Sequence, residues 1–259
     1  ASAGTLQPFL DVLAWRASET STYWQEEIAP ALSTSNSVVH SSIDFNTRPG
    51  FKLGFTYIPD DFYLDTTLYW TSFASNSSST IPTGNHILTS LFFSGSFFLS
   101  QGVFNAAYAN WQLRMNMVDL LVSHHFKPLP ALTLTPKLGL KGGTINQSIN
   151  VDWNALVYTA TEQATNNFTG FGPTFALNAT YDVYQHLSLV GDITAALMYG
   201  RWNNSDTYYR PAALLGVIPE KTIMTSMNHS NLGSLMMDYY FGLQWQHQGQ
   251  SHIAVNLGY

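Results

Sequence analysis

Ionisable and amide side chains recur at every second position of long amphipathic runs in this chain. In 110–117, Asn110, Gln112, Arg114 and Asn116 share one parity, and Trp111, Leu113, Met115 and Met117 share the other. In 132–141, Thr133, Thr135, Lys137, Gly139 and Lys141 alternate with Leu132, Leu134, Pro136, Leu138 and Leu140. Polar and charged groups repeated along one face can do one kind of chemistry without catalytic geometry: rings of them sort solutes by size and charge. Alternation in the other runs extends the candidate inward set to Lys52, Asp65, Asn110, Arg114, Asn116, Lys137, Lys141, Asp192, Asp238 and Gln244. In a narrow barrel the opposite outcome holds, because facing charges pair and side chains fill the interior.

Other constellations carry less. His124 and His125 lie near Asp119, but neighbouring strand residues point to opposite faces and do not easily share one ion. Asp60-Asp61 follows Pro59 and has turn chemistry. Glu26-Glu27 lacks the companion ligands of a calcium loop. Gly139-Leu140-Lys141-Gly142-Gly143 lacks phosphate-loop spacing. The sequons at Asn76, Asn167 and Asn203 read as polar loop chemistry. No metal site, cofactor motif or Ser/His/Asp set is read, so the expectation is a protein without enzymatic residues.

The elements that must position the polar face are strands. Strict period-2 alternation gives one apolar and one polar face. Arms of about 9–11 residues match a tilted strand crossing a membrane. Arg114, Lys137 and Lys141 on the polar face would be misplaced in a dry core, so the apolar parity is expected to meet lipid. That set is Phe51, Leu53, Phe55, Leu68, Trp70, Trp111, Leu113, Met115, Leu134, Leu138, Phe175, Leu177, Phe241, Leu243 and Trp245. Phe9 to Ala17 is a strand of imperfect alternation whose faces stay unassigned. Tyr23 to Ile28 reads as a short helical turn or a loop. Short turns fall at 59–61, 127–130 and 185–186, and long connections at about 18–42, 76–101, 146–166 and 203–230. The 76–101 connection folds over a barrel mouth in one reading and dips inside to narrow it in the other.

Only 10% of residues are charged and 14% are aromatic. A soluble domain averages roughly 25% charged residues, whereas a barrel wall in lipid needs few, and Trp and Tyr favour the headgroup layer. A net charge of −6 with no basic cluster excludes a nucleic-acid partner. No cysteine is available for disulfides or thiolate metal sites. The expected architecture is all-β: one antiparallel, transmembrane up-and-down barrel over residues 1–259, of about 10–12 strands. Nine strand signals are clear, with 40–45 a possible tenth. Barrels of this kind favour even numbers, so either strands are missed or the chain is cut short.

In order along nearly the whole chain, several blocks resemble one family. They are Asp11 to Ser18, Pro49 to Gly54, Tyr69 to Phe73, Trp111 to Leu121 with Leu132 to Gly142, Phe171-Gly172-Pro173, and Ala196 to Trp202. Together they are similar to the Legionella-type pore-forming major outer membrane proteins. The resemblance implies a bacterial outer-membrane pore without catalytic residues. The family continues past the segment like His252 to Tyr259, so truncation at Tyr259 is expected. The expected partners are outer-membrane lipids and small hydrophilic solutes or ions, with no cofactor and no homo-oligomer specifically indicated. The alternative is a closed structural or adhesive barrel acting through its loops, including the apolar stretches 91–99 and 208–217.

Overall fold

The structure, a computed structural model, describes residues 4–17, 24–28, 37–41, 43, 45–60, 64–83, 86–90, 104–248 and 252–258. Alternating, aromatic-rich and β-branched segments build strands throughout. In chain order they are β1 (Thr5–Arg16), β2 (Trp24–Ile28), β3 (Ser37–Ser41), β4 (Thr47–Ile58), β5 (Asp65–Ile81), β6 (His86–Ser90) and β7 (Ala106–Ser123). There follow β8 (Phe126–Leu129), β9 (Leu132–Asn154), β10 (Thr159–Tyr184), β11 (Leu187–Arg210), β12 (Lys221–Gln248) and β13 (His252–Gly258). The main sheet runs β1-β4-β5-β7-β9-β10-β11-β12-β13, with β8 paired to β9 alone. Every pairing is antiparallel, giving an up-and-down transmembrane β-barrel wall. A second, three-stranded sheet is ordered β3-β2-β6.

Three expectations about local structure are corrected. Residues 24–28 form strand β2, paired to both β3 and β6, rather than a helical turn or a loop. Residues 76–81 continue β5, and most of 146–166 and 203–230 is strand. The connections left are 155–158 and 211–220. The alternation fades there because these strand ends carry polar residues on the outward face and mixed residues inside. Residues 91–99, weighed above as a contact loop, lie outside the described residues.

The sheet curves strongly. Lys141 on β9 reaches Asp238 on β12 at 3.9 Å, across the two strands between them. β1 and β13 are not paired with each other among the described residues. Inner-face glycines permit the bend. Gly143, Gly170 and Gly200 are lateral partners on three neighbouring strands. A Cβ at Gly143 would collide with the Asn116 carbonyl, and one at Gly200 with the Thr169 carbonyl.

Candidate functional site: the lumen and its collar

The register sorts the wall into two faces. Outward lie the lateral rows Val122–Leu138–Phe175–Ala195–Met237 and Leu177–Ile193–Tyr239. Most of these side chains are broadly exposed, as are Leu120, Leu140, Phe171, Leu197 and Leu235. On β11 the outward apolar run extends from Leu189 to Tyr199, on β10 from Phe171 to Tyr181 and on β12 as far as Leu243, all strictly alternating. Eleven residues at about 3.3 Å each, tilted by about 45°, span roughly 25 Å, the height of an outer-membrane apolar band. Aromatic Trp70, Tyr199, Tyr239 and Trp245 stand on this outer surface.

At band height the inner face carries ionisable and polar groups among small and apolar side chains such as Leu121, Ala176 and Ala196. Lys141 Nζ donates to Asp119 at 2.9 Å, with both groups buried and Asp119 fully so. Lys137 lies 3.6 Å from Asp192, which also accepts from Thr194 and, at 3.4 Å, from Asn178. Lys52 sits over the Tyr69 ring at 5.0 Å. Near the short-turn end, His125 contacts Asp65 at 2.7 Å through Nε2 and Thr135 at 2.9 Å through Nδ1. Asp238 is 67% exposed and opens towards the interior solvent. Each carboxylate named here except Asp238 has a close polar partner, as buried charge requires.

Beyond the band the faces exchange character. On β7, Val118, Leu120 and Val122 point outward with Asp119 and Ser123 inside. Eight residues earlier the same strand has Asn110, Gln112, Arg114 and Asn116 on the outward parity and Trp111, Leu113 and Met115 inside. The geometric parity never changes; the polarity of its surroundings does. Trp111 is 2% exposed and stacks edge-on with Phe45 at 4.4 Å. It belongs to a core with Ile81, Leu88, Phe104, Val151, Trp153 and Tyr208, in which Phe104 meets Trp153 at 5.4 Å. Leu88 and Phe104 flank the segment 91–103, and both pack against inner-face residues of the wall. Below this core, Met117, Phe168, Ala196 and Met198 form a second apolar collar, with Trp202 against Phe168 at 4.7 Å.

The sequence-based assignments therefore divide. Lys52, Asp65, Lys137, Lys141, Asp192, Asp238 and Gln244 stand on the inward parity. Phe51, Leu53, Phe55, Leu68, Trp70, Leu134, Leu138, Phe175, Leu177, Phe241, Leu243 and Trp245 stand on the outward one. The β7 residues are corrected: Trp111, Leu113 and Met115 face the interior, and Asn110, Arg114 and Asn116 face outward beyond the band. The difference has a physical cause: past the outward apolar rows the wall meets water outside, and inside it packs against Phe45, Leu88 and Phe104. Asp119, Tyr69 and Asp11 also stand on the inner face and are absent from the candidate inward set above. Asp119 was hidden because it shares parity with Met117 and Leu121, although a charge within Val118–Val122 was the available signal.

Among comparisons with known proteins, the family model described as the Legionella pneumophila major outer membrane protein precursor matches residues 9–259. No curated protein matches the chain.

Proposed function

The chain belongs to the Legionella pneumophila major outer membrane protein family, a bacterial outer-membrane protein, and from that premise we propose that it is a porin-like pore for small hydrophilic solutes or ions. The supporting observation is the ladder of ionisable side chains on the inward face at the height of the apolar band. It runs from Asp65 with His125, through Lys137 with Asp192, to Lys141 with Asp119 and Asp238. Such a ladder replaces part of a solute's hydration along its path and discriminates by charge. The apolar cluster of Met117, Phe168, Ala196 and Met198 stands on the same inward face.

Planar bilayers holding the refolded full chain test the reading. Discrete single-channel steps are expected, and Lys137→Glu shifts the reversal potential in a salt gradient towards cations. A chain that is folded and inserted yet gives no steps would refute conduction. The second reading, a closed barrel acting through its surface, is favoured by one observation: the core around Trp111 and Phe104 packs the far mouth with apolar side chains. It predicts silence in the same bilayers.

A further inference from the structure

Just beyond the apolar band the outer wall carries two lateral rows of polar side chains that solute passage does not use. The register aligns Asn116, Thr144, Thr169, Arg201 and Ser230 in the first row. It aligns Arg114, Asn146, Asn167, Asn203 and Asn228 in the second. Neither row contains a carboxylate. A chain of net charge −6 thus presents an outward strip with two arginines. Between β11 and β12 the register slips by one residue beside Gly200 and Arg201. At that bulge the strip deepens into a cavity of about 310 Å³, lined by Arg201, Asn203, Asn228, His229 and Ser230. Arg201 makes no ion pair among the described residues.

The position of this cavity limits what fills it. On its membrane side the next row holds Phe171 and Tyr199, lateral partners that are 72% and 52% exposed. Tyr199 is also partnered by Gly233, which leaves a notch in the outward surface. The strands extend beyond the band at the end away from the short turns, and long strand-and-loop extensions mark the extracellular side of such barrels. The cavity therefore opens at the headgroup level of the outer leaflet, immediately above a surface that acyl chains cover.

We propose that this cavity binds the phosphate of an outer-leaflet lipid headgroup. The Arg201 guanidinium supplies a planar fork that matches two phosphate oxygens. The amides of Asn203 and Asn228 and the hydroxyl of Ser230 supply uncharged donors. The acyl chains of the same lipid lie down Phe171, Tyr199 and the Gly233 notch. The site depends on the membrane position of the wall and is independent of conduction.

The full chain, refolded in vesicles of a phosphate-free galactolipid doped with a diphosphoryl glycolipid or its dephosphorylated form, is extracted and its retained lipid measured by native mass spectrometry. The phosphorylated lipid is retained and the dephosphorylated one is not. Arg201→Ala lowers retention by roughly tenfold, the scale of a lost charge-assisted contact. Arg201→Lys, which keeps the charge without the fork, falls between. Arg201 is exposed, so the alanine variant keeps the heat-modifiable gel mobility of the folded barrel, which is checked in parallel. Equal retention of both lipids, or unchanged retention by the folded alanine variant, overturns the proposal. Displacement by inorganic phosphate as effective as by the intact lipid also overturns it, because the cavity is then a free-anion site.

Discussion

Removing Lys141 should expose how dry the centre of the lumen is. Its ammonium lies 2.9 Å from Asp119, whose carboxylate has no solvent exposure, and its own side chain is 6% exposed. Lys141→Met preserves the length of the stem and deletes the charge. Asp119 is then left buried, with its nearest cation gone. Breaking one partner of a buried pair costs about 3–5 kcal/mol, which is roughly a hundred- to several-thousand-fold in the folding equilibrium. Asp119→Leu alone strands Lys141 in the same way, although Asp238 at 3.9 Å offers that cation a partial substitute, so its cost is the smaller of the two. The double variant replaces the pair by apolar groups of similar volume and should recover most of the loss, since such swaps are often neutral or better. The assay is reversible urea unfolding of the full chain in vesicles, followed by Trp fluorescence and gel mobility, arranged as a double-mutant cycle. Single losses below about 1 kcal/mol that add in the double variant would refute the reasoning, because that is the signature of solvated ions.

Three further outcomes follow from the two faces of the wall. Arg114→Ala leaves single-channel conductance unchanged, in contrast to Lys137→Glu, because Arg114 lies on the outward parity; bilayer recordings of the folded variants check this. Trp111→Ala costs about 3–5 kcal/mol as a core truncation, while Trp70→Ala on the outer surface costs less because lipid refills the space; unfolding midpoints compare them. Asp206, on the extension beyond the band, is pushed up from the usual 3.8 to about 6 by burial, against a weaker opposing hydrogen bond from the Thr207 backbone. Its Oδ1 has no hydrogen-bond partner among the described residues. The folded state holds this proton more tightly, so the group's stabilisation is fully present below pH 3.8 and is lost as pH rises through about 6. Asp206→Asn is therefore more stable than the parent above pH 6, and the gap closes at low pH; a thermal series across that window measures it.

Composition and periodicity alone establish the class of the fold and the two-residue repeat of its strands. Ten per cent charge, abundant aromatics and arms that alternate strictly are enough for antiparallel membrane strands. On β4, β9, β10 and β12 the same letters tell outside from inside, because Phe51, Leu138, Phe175 and Phe241 oppose residues such as Lys52, Lys137 and Asp238. Alternation identifies two faces but does not say what each face touches. On β7 the apolar parity of 111–117 looks like the apolar parity of a lipid-facing strand. Only the register to β9 and the packing of Phe45 on Trp111 show that it lines an interior core past the outward apolar rows. Val118, Leu120 and Val122 carry the exposed apolar surface of that strand, on the opposite parity. The strand ends at 146–154 and 203–210 were likewise illegible, because a strand with water on one side and mixed packing on the other loses its two-residue period. The pairing of Lys141 with Asp119 and Asp238, and the alignment of Arg201 with its polar row, join residues far apart in the chain. They exist only once lateral register and curvature bring those strands together.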